Sequence, residues 1–166
     1  MKNISEQLAF YQSYHKTTGC KVTHVFGIPL VTFSILIPMG WLGVELHVIH
    51  LSLAMAFVAA TLVYYFLLDR FLAILMTLIM IPMTAGAAWV SQLPFRMSLT
   101  IFAITFVAGW VLQLLGHAIE GRRPALLDNF SQAVFTAPLF LLAEMLSALG
   151  WRKLTDDNAA QPPKTV

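Results

Sequence analysis

Charge is scarce in this chain. Lys, Arg, Asp and Glu make up 11% of its 166 residues, where an ordinary soluble domain carries about 25%. Apolar residues reach 58% and the mean hydropathy is +0.76, more apolar surface than a soluble domain of this size can hide. An excess of either sign is missing too: 10 basic against 8 acidic residues leave a net charge of +2, which excludes the basic footprint of a nucleic-acid binder. Cysteine is almost absent. With Cys20 alone, an intrachain disulfide is impossible and the fold does not depend on an oxidising compartment. No internal repeat, low-complexity tract or Ser/Gly linker divides the chain, so one domain over residues 1–166 is expected. The opening MKNISEQLAFYQSYHK lacks the apolar core of a cleavable signal peptide, and it is expected to be retained.

Long apolar runs are what the sequence has in plenty. A bilayer core of about 30 Å takes about 20 apolar residues in helical form. Val25 to Val44, Leu46 to Leu68, Phe71 to Phe95 and Met97 to Ile119 each lack Asp, Glu, Lys and Arg. Their separators are Glu45, the Asp69-Arg70 pair and Arg96, so very tight hairpins are expected between spans. A fifth apolar stretch, Phe130 to Trp151, differs because Pro138 interrupts it and Glu144 lies within it. The expectation is an all-α integral membrane bundle of four transmembrane helices plus a fifth interfacial or re-entrant helix. Around it, residues 1–24 form an N-terminal cytoplasmic segment containing His15, residues 25–151 the bundle, and residues 152–166 a flexible tail.

Cytoplasmic segments collect Lys and Arg, which orients the bundle. Lys2, Lys16, Lys21, Arg70, Arg122 and Arg123 fall on one side, and Arg96 alone on the other. The N-terminus is therefore expected in the cytoplasm. A fifth helix that does not cross adds Arg152, Lys153 and Lys164 to the richer side, and that arrangement is preferred.

The five histidines sort by side. His15 and His24 precede or open the first span and His117 ends the fourth, all on the predicted cytoplasmic side, whereas His47 and His50 open the second span opposite them. Positions three or four apart share a helical face, so Gln113, His117 and Glu120 form one polar stripe. Ionisable groups at membrane depth are costly and mark functional sites, and an imidazole and carboxylate at i, i+3 is a metal-ligand spacing in helical bundles. A second histidine completes the two-His, one-carboxylate set that suits non-haem Fe(II). His15 and His24, nine residues apart, fall on opposite faces of a continuous helix. For both to reach one ion the chain must break between them. Gly19 is the expected place, with one helix ending near Thr18 and another starting near His24.

Each of these residues also has an ordinary reading. Interfacial histidines often anchor or hydrogen-bond, and His47 and His50, beside Glu45, fit that role best. Arg122 and Arg123 serve as positive-inside residues or hold a carboxylate bidentately. Asp128 is placed to cap the fifth helix, and Glu144, inside an apolar helix, needs a partner. The tyrosines Tyr11 and Tyr14 and the four tryptophans read as aromatic-belt residues. A non-catalytic polytopic membrane protein, a transporter or assembly factor with a structural His/Glu network, is the competing class. A di-iron desaturase is less compatible with five histidines of which two lie on the far side. Haem held by a histidine pair stays open.

Several motifs together carry a family resemblance. Tyr11-x-x-x-His15, His24-x-x-Gly27-x-Pro29, Gln113-x-x-Gly116-His117-x-x-Glu120-Gly-Arg-Arg-Pro124-Ala-Leu-Leu-Asp128-Asn129 and Ala137-Pro138-Leu-Phe140-x-x-x-Glu144 resemble the membrane 2-hydroxy fatty acid dioxygenases of fatty acid α-oxidation. The likeness runs from about Tyr11 to Glu144 and is most specific between Gly116 and Asn129. It implies an Fe(II)-dependent enzyme that takes a 2-hydroxy fatty acid and O2 and returns a fatty acid one carbon shorter. The resemblance further implies His15, His24 and His117 as iron ligands, with Glu120 at the acidic position of the same motif. Arg122 and Arg123 are expected to steer the substrate carboxylate, and Gln113 to join them in substrate binding. One position departs: the family commonly has asparagine between the first two histidines, and here Cys20 stands there. Membrane lipid is the expected surrounding, in a bacterial inner membrane or an endoplasmic reticulum membrane, and no nucleic-acid partner is expected.

Overall fold

The computed structural model describes residues 17–47, 49–121 and 130–151. Five helices run among them: α1 (Thr18–Trp41), α2 (Leu53–Leu68), α3 (Arg70–Ser91), α4 (Phe95–Glu120) and α5 (Phe130–Ala148). Between α1 and α2 lies a two-stranded antiparallel hairpin, β1 (Gly43–Leu46) and β2 (Ile49–Ser52). Helices α1, α3 and α4 are long and apolar enough to cross a membrane. The apolar runs become helices for a simple reason: without water, a backbone must satisfy its own hydrogen bonds, and a single segment can do so only as a helix.

The hairpin corrects one expectation. A second helix from Leu46 is not formed; Leu46 ends β1, Ile49–Ser52 forms β2, and α2 begins at Leu53. His47 turns the chain in the left-handed region at φ 54°, and Glu45 stands opposite His50 in the ladder. Leu53 N–H closes the base on the Leu42 carbonyl at 2.7 Å. Ser52 then caps α2, its hydroxyl accepting from Met55 N–H at 3.4 Å. A β-period was invisible in a segment whose residues suit either structure.

Contacts gather the chain into two compact units, one from Phe26 to Val111 and the other from the segments before and after it. In the first, α2 and α3 pack together and are joined by one residue, Asp69. Its N–H bonds the Tyr65 carbonyl at 2.9 Å, while its carboxylate accepts from Leu72 N–H at 3.0 Å. One residue thus ends α2 with its backbone and starts α3 with its side chain, which is the tight connection the sequence predicts. Elsewhere in this unit glycines bring backbones close, as in many membrane bundles. A Cβ on Gly109 would stand 2.9 Å from the Val31 backbone nitrogen, and one on Gly40 would stand 2.7 Å from Ser91 Oγ. Trp41 Nε1 donates to the buried Ser98 hydroxyl at 2.9 Å, tying α1 to α4.

Large apolar side chains stay exposed along the helices. Ile104, Val107, Val111 and Leu114 are each more than half exposed, and their spacing makes one continuous stripe on α4. A soluble protein rarely leaves such a stripe open to water.

The second unit contains the start of α1, the end of α4, and α5. Helix α1 begins at Thr18 and continues unbroken through His24, so a helix start near His24 and a break at Gly19 are not what the chain does. Gly19 has another use: a Cβ there would come within 3.1 Å of Ile119 Cγ2, so its hydrogen lets α1 lie close on α4. The non-helical residue is Thr17, one position before the helix. Helix α5 joins this unit through an ion pair, Lys21 Nζ to Glu144 Oε2 at 2.6 Å. That pair gives Glu144 the partner a carboxylate in an apolar helix requires.

Candidate metal centre

His24 lies two turns inside α1 and His117 one turn from the end of α4. Both are buried, at 4% and 8% exposure. Their Nε2 atoms stand 3.3 Å apart, 93 residues distant in sequence, with the rings edge to face at 86° and centroids 4.9 Å apart. Gly116 makes this approach possible. A Cβ on it would meet Thr23 Oγ1 and lie 2.8 Å from Nδ1 and Cε1 of His24, so the His24 ring occupies the space that a side chain at 116 would need.

The protonation of His24 follows from its partners. Nδ1 is 2.8 Å from the Cys20 carbonyl, and a carbonyl only accepts, so Nδ1 carries the hydrogen. In the neutral ring Nε2 is then left with its lone pair, facing His117. A backbone carbonyl that holds the far N–H of an imidazole is also how proteins orient histidine metal ligands. Cys20 Sγ lies 3.6 Å from Nδ1 and is buried at 0% exposure. Cys20, His24 and His117 each offer a ligand atom within 4.8 Å of the others, and they are the metal-capable group among the described residues.

The spacing fits one ion. Two imidazole nitrogens in adjacent positions on a metal, each roughly 2.1 Å from it, stand roughly 3.0–3.4 Å apart. The observed 3.3 Å falls inside that range.

The other predicted site residues divide in three ways. Glu120 ends α4 on the polar stripe, and its Oε2 accepts two hydrogen bonds from Thr17, from N–H at 2.8 Å and from the hydroxyl at 2.6 Å. Gln113, one turn before His117, has a buried Oε1 with no hydrogen-bond partner among the described residues. His15, Arg122, Arg123 and Asp128 lie outside the described residues. His47 and His50 belong to the β1–β2 hairpin. The sequence reading marked Cys20 only as a departure from the family's usual asparagine, and it passed over Thr17. Cys20, four residues before His24, was legible in principle from its i, i+4 spacing, whereas nothing local marked Thr17.

These features define a class: a helical protein with segments suited to a membrane, carrying a buried two-imidazole centre where two of those helices meet. The chain belongs to the Mpo1-like family, whose model, described as 2-hydroxy-palmitic acid dioxygenase Mpo1-like, matches residues 1–149. It is 30% identical over 159 residues to the 2-hydroxy-palmitic acid dioxygenase MPO1 of Saccharomyces cerevisiae, an alignment covering 90% of this chain and 83% of that protein. No solved structure matches the chain.

Proposed function

We propose that this protein is a membrane-embedded Fe(II) dioxygenase that shortens 2-hydroxy fatty acids by one carbon. The reaction balances when one O2 converts the 2-hydroxy acid into the next shorter acid, carbon dioxide and water. The observation that carries the reading is the buried His24–His117 pair, with Nε2 atoms 3.3 Å apart and the His24 tautomer fixed by the Cys20 carbonyl. Membership of a family with a named dioxygenase supports an oxidative enzyme acting on a 2-hydroxy acid.

His24 and His117 hold the metal in this proposal, with His15 as the third imidazole. Ferrous iron in a histidine-rich site supplies open positions for oxygen and for a chelating 2-hydroxy carboxylate. The chain's own residues do the rest. Cys20 O holds the Nδ1 hydrogen of His24, so that the neutral ring presents its Nε2 lone pair. Gln113 Oε1, buried and lacking a partner among the described residues, accepts the hydrogen of the 2-hydroxyl, which offsets the cost of burying that oxygen alone. Arg122 and Arg123, following α4, take the carboxylate. The exposed apolar side chains of α1 and α4 run beside the acyl tail, in the same lipid that surrounds the bundle. The N-terminus and the metal centre face the cytoplasm in this arrangement.

The test is iron analysis of the purified protein together with oxygen uptake. Wild type is expected to hold one iron per chain and to consume oxygen with a 2-hydroxy fatty acid, yielding the acid one carbon shorter, and not with the same acid lacking the hydroxyl. His24→Ala and His117→Ala are expected to lose both the iron and the uptake. A wild-type protein without metal and without uptake would instead favour a structural polar network. Unchanged substrate affinity in the Arg122→Ala/Arg123→Ala double variant would remove the carboxylate role from those residues.

A further inference from the structure

Helix α1 lacks half of the usual device for starting a helix. In a capping box, the N-cap hydroxyl takes the N–H of the third helical residue, and a Glu or Gln at that third position reaches back to the N-cap N–H. Here Thr17 is the N-cap residue and its hydroxyl accepts from Cys20 N–H at 3.4 Å. The third helical residue is Cys20 itself, whose side chain lies against His24 and cannot make the return bond. Glu120 makes it, from the last turn of α4 and 103 residues away. Its Oε2 takes the Thr17 N–H at 2.8 Å and the Thr17 hydroxyl hydrogen at 2.6 Å, placing an anion at the positive end of α1.

We infer that Glu120 is a positioning residue, which completes the capping box of α1 from α4 and thereby sets the separation of His24 and His117. The two histidines ride on these two helices. Glu120 lies three residues from His117, and Thr17 lies seven from His24, two turns on the same side of α1. A bond between the outer members of the pair of helices fixes their axial register at the level of the inner members. Gly19 and Gly116 remove the side chains that would otherwise hold the helices apart, so register is what remains to be specified. This assignment deepens the proposed function by taking Glu120 out of the ligand set and giving it to the scaffold.

The experiment compares Glu120→Gln, Glu120→Ala, Thr17→Val and the Thr17→Val/Glu120→Ala double variant in the full chain, reading iron affinity and thermal stability. A carboxamide oxygen can still accept from Thr17, so Glu120→Gln is expected to recover most of the affinity that Glu120→Ala loses. Loss of such a supporting partner typically weakens metal binding by about 10–100-fold. Thr17→Val also removes the bond to Cys20 N–H, so its effect is read against the double variant. The expected result is that Thr17→Val costs clearly less stability and affinity in the Glu120→Ala background than in wild type. A Glu120→Gln variant as iron-poor as Glu120→Ala overturns the inference in favour of direct ligation, and strictly additive Thr17 and Glu120 effects overturn it as well. Should wild type bind no iron, the proposed function falls by itself, and the stability cycle between Thr17 and Glu120 still decides the clamp.

Discussion

At the scale of single residues, the centre depends on atoms that are missing as much as on those present. Gly116 precedes His117, and the space its side chain would fill is taken by the His24 ring. Gly116→Ala is therefore expected to cost about 1–3 kcal/mol through overpacking and, on the proposed function, to lose the iron, since relieving the added methyl moves Thr23 and His24 away. Gly86→Ala is the control, because its Cβ would meet Phe33 at an ordinary 3.5 Å; metal content and thermal denaturation of the two variants separate the effects. The polar stripe of Gln113, His117 and Glu120 was legible before any fold was known, because helical spacing is a local rule. What each of them touches was not. Glu120 finds Thr17 and Gly116 finds His24 only when helices distant in sequence pack, and no spacing within one segment encodes that meeting.

At the scale of elements, the β1–β2 hairpin is where the chain departs from a plain helical pattern. His50 Nδ1 faces Glu45 Oε1 at 2.8 Å and Nε2 faces the Gly40 carbonyl at 3.2 Å. Both partners only accept, so the doubly protonated ring is the form that satisfies both. The Glu45 hydrogen bond first, and then the Gly40 carbonyl, raise the His50 pKa above its ordinary value. A raised folded-state pKa means that this contribution to the hairpin is fully present below about pH 6.5, the unfolded value, and is lost as pH climbs through the folded one. Proton NMR titration of the His50 ring is expected to show that upward displacement, and Glu45→Gln to bring it back down. A midpoint unmoved by Glu45→Gln would remove Glu45 as the cause. The sequence pointed to a hairpin-tight connection at Glu45 but ran the following helix through residues 46–52. Apolar composition states that a segment prefers lipid or a core, and four-residue strands of such composition carry no period that separates them from a helical turn.

At the scale of the whole molecule, the lengths of the helices govern how they meet the bilayer. At 1.5 Å per residue, α1, α3 and α4 reach about 36, 33 and 39 Å, enough for a hydrocarbon core of about 30 Å. Helix α2, with 16 residues, reaches only about 24 Å. It leaves α3 through Asp69 alone and packs along it, so it ends short of the surface that α3 attains. Four spans therefore require the hairpin to occupy the remainder. Its Glu45 side chain is 77% exposed, a carboxylate that lipid tails would not tolerate but headgroup water would, while Leu42, Val44 and Leu51 beside it are exposed and apolar. On this argument α2 and the hairpin cross together, and Glu45 and Arg70 lie on opposite faces. In a Cys20→Ser background, a membrane-impermeant maleimide added to intact cells is expected to label Glu45→Cys and leave Arg70→Cys protected until the cells are opened. Equal labelling of both positions would overturn this placement, since three crossings would part the start of α1 from the end of α4, which Thr17 and Glu120 hold together at 2.8 Å.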